Sequence, residues 1–296
     1  THNRQRKPKQ LRTSNPEGDR VKLVAYTNGQ DEAEGIAARI AAEIHSGRRR
    51  ASDFAIFYRT NALSRAFEHA LTSQHVPYQI VNGVEFYQRR EVKDLLAYLH
   101  LLNNPSHDVA LLRVINTPPR GIGKTTITRL TEYAREQSLP ILEAARLAAL
   151  APGLSTRAAT GVARFVALFD QLREHVTAPV EEIIGRVLEA TGYRAHVEHA
   201  GDVTDLDRLA NVEELVTAAR EFDVENPGAA PLERFLEQAA LVNDTDALEQ
   251  AIAKVTLMTL HGAKGLEFPV VFVVALEQGL LPHERSREDP SQLEEE

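Results

Sequence analysis

An apolar run passes into polar residues between positions 54 and 61, which read Phe54-Ala55-Ile56-Phe57-Tyr58-Arg59-Thr60-Asn61. A short run without alternation predicts a strand buried on both faces, as in a covered parallel sheet. Arg59 and Asn61 follow the strand directly, so we expect them at the carboxyl edge of the sheet, where α/β domains bind ligands. From these residues alone, a helix-capping Asn beside a surface Arg is an alternative interpretation.

The segments around this strand have helical and strand periods. Ile36, Ile40 and Ile44 recur on one helical face, with Asp31 and Glu32 at its start and Gly47 at its end. Alternation predicts a further strand over Val21-Lys22-Leu23-Val24-Ala25-Tyr26. A second helical stripe comprises Leu63, Ala66, Phe67, Ala70 and Leu71.

From about Gly83 to residue 250 only helical spacing is evident, separated by loops rich in Pro, Gly and Asn. Strand patterns return at Val255–Leu260 and Val270–Val274. The pattern predicts an α/β fold, in which a parallel-sheet domain is interrupted by an all-α insertion. We expect the sheet domain at 1–82 and 252–296, and the insertion at 83–251.

Composition excludes several classes of protein. A chain of 296 residues with 43% hydrophobic residues can hold about two domains. It contains no Cys, which excludes disulfides, thiolate catalysis and Cys-ligated metal centres and fits a reducing cytoplasm. The longest apolar run, Val270–Leu276, is far shorter than the roughly 20 residues of a membrane span, so no membrane partner is predicted. The histidines lack ligand spacing, so no metal site is predicted.

Charge is unevenly distributed along the chain. The net charge is −8, yet residues 1–150 carry 22 Lys and Arg against 15 Asp and Glu, and residues 151–296 carry 12 against 27. A chain with a basic first half can bind nucleic acid through one face despite a negative total. The acidic run at 202–225 is interpreted as the solvated face of a helix.

A glycine loop at positions 120–125 resembles the end of a phosphate-binding P-loop but fails the full pattern. Pro118 stands where the motif requires Gly, and a short helix rather than a strand is predicted just before the loop. The loop could instead form another kind of anion site, in which Thr125 caps the next helix and the free N–H groups of that helix attract phosphate. A tight turn with solvated basic residues is an equal alternative on spacing alone.

The loop after the third strand concentrates polar residues at a second strand end, in Thr259-Leu260-His261-Gly262-Ala263-Lys264-Gly265-Leu266-Glu267-Phe268. Thr, His and Lys between glycines suit phosphate contact, and the Glu267 carboxylate suits ribose hydroxyls. A hairpin-like connection is the alternative. Tyr78, Phe86 and Tyr87 flank the expected domain junction, where they would stack on bases or, more commonly, pack at the junction.

Four stretches in this order resemble motifs of the superfamily 1A DNA helicases, the family of UvrD, PcrA and Rep. They are Phe57–Ala62 with Ser64-Arg65, Gly83–Phe86 with Arg89 and Glu91–Asp94, Asn116–Gly123, and Leu257–Phe268. The resemblance covers nearly the whole chain. It implies a RecA-like second motor domain, 2A, carrying its helical insertion, 2B.

The resemblance also implies an activity and roles for particular residues. Such enzymes use ATP and Mg²⁺ to move 3′ to 5′ along single-stranded DNA in repair and replication. Single-strand contacts would come from Arg59, Asn61, Thr259 and His261, and ATP contacts from Gly265 and Glu267. Contacts to duplex DNA ahead of the fork would come from Arg120, Gly121, Ile122, Gly123, Lys124 and Thr125.

The family's Walker A lysine, its Mg²⁺-binding acidic pair and two arginines have no counterpart here. The resemblance therefore implies that this chain is a portion of a longer enzyme. The portion would have no catalytic residue of its own, would hydrolyse no ATP alone and would work with an N-terminal motor domain. The expected DNA partners are single strands and single-strand/duplex junctions, with a repair protein as a further partner on 2B. A non-catalytic DNA-binding or regulatory module, using the acidic surface of the insertion, is the alternative.

Overall fold

A computed structural model describes residues 18–81, 83–198, 204–228, 231–244 and 253–281. Contacts divide the chain into two compact units. The first unit contains Thr1–Gly83 and Ala251–Glu296, and the second contains Val84–Gln250. The two stretches expected to form the sheet domain extend into 1–17 and 282–296, which lie outside the described residues.

Within the described residues, the first unit is built on one parallel sheet with strand order β2-β3-β1-β4. The apolar run at 54–58 is the strand β1, which lies between β3 and β4 and is buried throughout. The predicted α/β fold class is confirmed. The elements are α1 Gly29–His45, β1 Phe54–Tyr58, α2 Ser64–Ser73, β2 Tyr78–Ile80, β3 Val255–Thr259 and β4 Val270–Val273.

The sheet buries its two faces differently. One face packs against α1 and α2, where Phe54, Ile56 and Leu257 meet apolar side chains such as Ile40 and Leu71. The other face is smaller and consists of Ala55, Phe57 and Met258. Among the described residues it is packed by the connection between β3 and β4, through Leu260, Ala263 and Phe268.

The predicted strand over Val21–Tyr26 is wrong. The segment forms no strand, and Val21 and Leu23 are 100% and 90% exposed. Alternation produces a strand only where a neighbouring strand supplies hydrogen bonds and a core covers one face, and no described strand pairs with this segment. Conversely, the edge strand Tyr78–Ile80 was not predicted, because three residues are too few to establish a period.

The second unit consists of helices joined by loops and contains no strand among its described residues, as predicted. Its central helix, Arg90–Asn103, buries side chains on nearly every face. The helices are α3 Arg90–Asn103, α4 Asp108–Val114, α5 Lys124–Gln137, α6 Ile141–Arg146, α7 Thr156–Arg173, α8 Val180–Thr191, α9 Tyr193–Glu198, α10 Thr204–Glu225 and α11 Pro231–Asp244.

The acidic helix α10 does more than face solvent. Asp223 accepts hydrogen bonds from the backbone N–H groups of Val180 and Glu181, both at 2.9 Å, and so caps α8 from a different helix. Pro179 at the N-cap position of α8 provides no side-chain cap. The interpretation of 202–225 as a purely solvated face is therefore wrong at Asp223, because tertiary packing brings the bare end of α8 to it.

No helix in the described parts of the chain is both long enough and apolar enough to cross a bilayer.

Candidate nucleic-acid interface

The four residues predicted to contact single-stranded DNA lie at one edge of the sheet. Tyr58 and Thr259 are register partners at the carboxyl ends of β1 and β3. Arg59 and Asn61 follow the first strand, and His261 follows the second. His261 is exposed and the other predicted single-strand contacts are half-buried. The edge therefore carries a cation, an amide, a hydroxyl and an imidazole, which are suitable donors for phosphates and bases.

Asn61 does not cap α2. The N-cap of α2 is Leu63, which makes no side-chain hydrogen bond, so the alternative of a helix-capping Asn is wrong. The Asn61 side chain instead lies close to Gly83. A Cβ built on Gly83 would lie 3.4 Å from Asn61 Oδ1 and 2.8 Å from Ile80 Cγ2, so only Gly lets the backbone pass here without displacing them.

The connection from β3 to β4 is not a hairpin, since β1 lies between these two strands and all three are parallel. The Gly262 N–H donates to Thr259 Oγ1 over 3.2 Å, and the Ala263 N–H donates to the Thr259 carbonyl over 3.0 Å. These bonds turn the chain sharply at the strand end. Phe268 then packs edge-on against Phe57, with ring centroids 6.0 Å apart, which anchors the loop to the sheet.

The outer part of this loop carries the two residues predicted to contact ATP. Gly265 has φ +87°, a left-handed conformation that side chains rarely adopt, and a Cβ there would meet no atom within 4 Å. Glu267 is exposed. An exposed carboxylate two residues from an open glycine can accept hydrogen bonds from ribose hydroxyls.

The glycine loop of the second unit links α4 to α5. Its exposed residues are Gly121, Gly123, Lys124 and Thr125, whereas Ile122 is fully buried. The expectation that Thr125 caps α5 is wrong: the N-cap is Gly123, which has no side chain, and Thr125 lies inside the first turn. The first N–H groups of α5 therefore have no side-chain cap from the N-cap residue, which leaves this end suited to an anion.

Arg120 is directed differently from Lys124. Its Nη1 donates to the carbonyl oxygens of Val114 at 2.9 Å, Thr117 at 3.1 Å and Pro118 at 3.2 Å. Its Nη2 donates to the Tyr98 hydroxyl over 2.6 Å. The guanidinium thus turns into its own unit and is not presented with the exposed glycines.

Comparison with known proteins places the chain in a family. The family model for the UvrD-like helicase C-terminal domain matches residues 1–296. The chain belongs to the UvrD-like helicase C-terminal domain family.

Curated relatives of this UvrD-like domain are named ATP-dependent DNA helicases. It is 40% identical over 307 residues to UvrD1 of Mycobacterium tuberculosis (strain ATCC 25618 / H37Rv), which covers 98% of the chain and 40% of the relative. It is 39% identical over 301 residues to PcrA of Leuconostoc citreum and 36% identical over 305 residues to PcrA of Bacillus subtilis (strain 168). Both alignments cover the whole chain and 40% and 41% of those relatives, so it spans about two fifths of their length.

The hypothesis that Tyr78, Phe86 and Tyr87 stack on bases is wrong for this UvrD-like domain. Tyr78 lies in β2 at 4% exposure, and Phe86 and Tyr87 are 0% and 8% exposed in the core of the second unit. Rings buried in this way have no face for a base, so their role is packing.

Sequence reasoning missed Tyr98 and Asn116 beside the glycine loop of the UvrD-like domain. Tyr98 lies within the apolar stripe of α3, where a Tyr resembles any core aromatic. The available signal was its hydroxyl, which needs a partner when buried. Asn116 Oδ1 accepts from the backbone N–H of Arg120 at 2.7 Å and of Ile122 at 3.1 Å.

Three or more metal-ligating side chains do not come together anywhere in the described part of the UvrD-like domain. The carboxylates Glu91 and Asp94 in the second unit are instead bonded to protein groups, namely Asn211, Arg113 and Tyr193.

Proposed function

We propose that this chain is the 2A motor domain, with its inserted 2B domain, of an ATP-dependent 3′–5′ DNA helicase. In this proposal the sheet unit is 2A and the helical unit is 2B. Family membership and the names of the relatives support the activity. The chain then acts together with an N-terminal motor domain, which supplies the P-loop, in DNA repair or replication.

The common edge of β1 and β3 carries the proposal. Arg59 and Asn61 follow one strand, and Thr259 and His261 follow its register partner, so four DNA-suited side chains share one edge. In a translocating enzyme these residues hold the single strand. Because they extend from a rigid sheet, movement of the sheet unit would move all four together.

ATP contacts within this chain are proposed for Gly265 and Glu267 alone. Their loop starts from the same strand end as Thr259, so a nucleotide held by Glu267 would be coupled to the DNA edge through one short segment. Hydrolysis of the bound ATP would supply the free energy of translocation. Mg²⁺ would be held by the N-terminal motor domain, since the described residues offer no cluster of ligands for it.

Contacts to duplex DNA are proposed for the exposed part of the glycine loop, Gly121 and Gly123–Thr125. Glycines admit a phosphate close to the backbone, the uncapped start of α5 attracts its charge, and Lys124 adds a cation. Such contacts bind the DNA backbone without reading its sequence.

The experiment is binding of the chain to a labelled single strand and to a tailed duplex of matched length, measured by anisotropy over a range of salt. Affinity should fall with salt, with a log–log slope of about 0.7 per phosphate neutralised on the single strand and about 0.9 on the duplex. An affinity that does not change with salt, or no binding to either DNA, would contradict the proposal and favour a protein-interaction module.

Gly123→Ala tests the glycine loop itself. Gly123 has φ −77°, which any residue adopts, and a Cβ there meets nothing within 4 Å, so the variant should fold normally. We expect weaker binding of the tailed duplex with unchanged binding of the single strand, because the added methyl group blocks close approach. The matched control is Gly185→Ala on α8, where a Cβ also meets nothing within 4 Å. Equal losses for both DNAs would refute the assignment.

A further inference from the structure

The Arg120 side chain is enclosed on several sides. Besides its hydrogen bonds to carbonyl groups of residues 114–118, the guanidinium lies over the ring of Phe165 at 5.5 Å and over that of Tyr98 at 6.0 Å. A planar group with several fixed donors is matched to such a cage in a way that a Lys ammonium is not. The charge is therefore used to hold the chain between α4 and α5 together.

Tyr98 forms another side of this enclosure. It lies on the central helix of the unit and is 3% exposed. Its hydroxyl accepts from Arg120 Nη2 over 2.6 Å and donates to the Thr117 carbonyl over 2.5 Å. Burial raises the pKa of Tyr98, which keeps the hydroxyl protonated for that second bond. Tyr98 thus joins the cation to the loop backbone.

Asn116 closes the loop from the other side. One oxygen, Oδ1, accepts the backbone N–H groups of Arg120 and Ile122, so the chain between them bends around it. Ile122 is then buried against α7, where a Cβ on Gly161 would lie 3.6 Å from both its side chain and the Arg120 carbonyl. Only the residues around the bend remain outside.

We propose that Tyr98, Asn116 and Arg120 are positioning residues, which set the backbone of Gly121–Thr125 for duplex phosphates, and that Arg120 itself does not contact DNA. This inference rests on the proposed duplex contact of the glycine loop. It assigns to Arg120 a different role from the one that the family resemblance suggests. It also gives a function to Tyr98, whose buried hydroxyl has no access to a ligand.

The experiment compares Tyr98→Phe, Arg120→Lys and Arg120→Gln in the full chain, with Lys124→Gln as the reference for a direct phosphate contact. Tyr98→Phe keeps the ring and removes the hydroxyl, with its bonds to Arg120 and to the Thr117 carbonyl. We expect it and Arg120→Lys each to weaken tailed-duplex binding about three- to tenfold, the size for one or two lost hydrogen bonds, with single-strand binding unchanged. Arg120→Gln should resemble Arg120→Lys although only the Gln variant loses the charge, because both variants lose the hydrogen-bond geometry of the guanidinium that holds the loop.

The matched control is Tyr193→Phe. Tyr193 is a buried tyrosine of the same unit, whose hydroxyl donates to Asp94 Oδ2 over 2.8 Å and not to the backbone of the glycine loop. Both Tyr→Phe variants should have a lower thermal stability, because each loses the hydrogen bonds of a buried hydroxyl. Only Tyr98→Phe should change the ratio of tailed-duplex to single-strand affinity.

The outcomes separate the inference from the proposed function on which it rests. If Arg120→Lys retains wild-type affinity while Arg120→Gln lowers the salt slope by about 0.9, Arg120 contacts a phosphate and the inference is overturned. It is also overturned if Lys124→Gln weakens tailed-duplex binding and Tyr98→Phe does not. If neither Lys124→Gln nor Gly123→Ala affects that binding, the duplex contact fails and the inference fails with it.

Discussion

Tyr58 and Thr259 are register partners on two adjacent parallel strands, and the backbone N–H of Leu260 donates to the Tyr58 carbonyl over 2.8 Å. The sheet thus extends its hydrogen bonding one residue past β3. The polar residues after each strand begin at the same level, although the two strands lie far apart in the chain. This pairing explains how two distant motifs form one candidate surface.

Replacing Arg59 with Ala should weaken single-strand binding, because a cation is lost from this surface. The salt slope should fall by about 0.7, the value for one phosphate contact on a single strand. The matched control is Arg48→Ala, an equal loss of charge at an exposed position before the amino end of β1. Anisotropy titrations at several salt concentrations measure both. Equal effects of the two variants would mean that only net charge matters.

The chain alone should hydrolyse no ATP, with or without single-stranded DNA. The glycine loop at 120–125 follows the helix α4 instead of a buried strand, so it lacks the setting of a P-loop. Release of phosphate in steady state measures this. DNA-stimulated turnover that disappears in Lys124→Gln would show instead that the loop binds nucleotide.

Replacing Asn211 with Ala should destabilise the helical unit by about 1–3 kcal/mol, the cost of leaving buried polar groups short of a partner. Asn211 accepts from Arg89 Nη1 over 2.7 Å and donates to Glu91 Oε1 over 2.5 Å, and all three residues are buried. Urea unfolding followed by circular dichroism measures the change in free energy.

The control for this variant lies on the same helix. Glu213 pairs with Arg194 over 2.9 Å at an exposed position, so Glu213→Gln should change the free energy of unfolding by less than about 0.5 kcal/mol. Similar effects of Asn211→Ala and Glu213→Gln would show that the buried network contributes nothing particular.

Stability should decrease in mild acid through His100, whose ring lies 5.5 Å from that of His107. Burial, and then the charge of His107, lower the pKa of His100. Because the folded-state pKa is lowered, the contribution of His100 to stability is fully present above the unfolded value of 6.5 and is lost as pH falls from 6.5 through the lower folded-state value. His107 is itself the N-cap of α4, where its Nδ1 accepts the Ala110 N–H over 3.2 Å.

Urea titrations at pH 7 and pH 5 test this pH dependence. His100→Gln should lose less stability between the two pH values than the wild-type chain. The exposed His75, which has φ +57°, provides the control as His75→Asn, since Asn tolerates that conformation. The expectation fails if His100→Gln keeps the full pH sensitivity of the wild type.

Local patterns predicted most of the elements, because the side chains that define them lie within one or two turns or along one strand. The helical spacing of Ile36, Ile40 and Ile44 became α1, and the apolar run at 54–58 became the central strand. The same reasoning failed at Val21–Tyr26, where alternation is present but no described strand pairs. A strand depends on a partner, whereas a helix forms its hydrogen bonds internally.

Predictions about individual side chains were less successful for a related reason. Asn61 and Thr125 are both residue types that commonly cap helices, and both lie near a predicted helix start, but neither caps a helix. Asp223 was expected to face solvent, as an acidic residue in an acidic run, but it caps a helix formed by another part of the chain. Capping requires only a polar side chain near a helix end, and distant segments can supply it.

By itself, the sequence determined the kinds of elements, the interruption of an α/β unit by helices, and the order of motifs that identifies the family. Those properties follow from residue type and spacing along the chain. Tertiary structure alone decided the strand order β2-β3-β1-β4, the position of Arg59 and Thr259 at the same sheet edge and the inward direction of the Arg120 side chain. Each depends on hydrogen-bond partners and packing surfaces from distant segments, which no local pattern specifies.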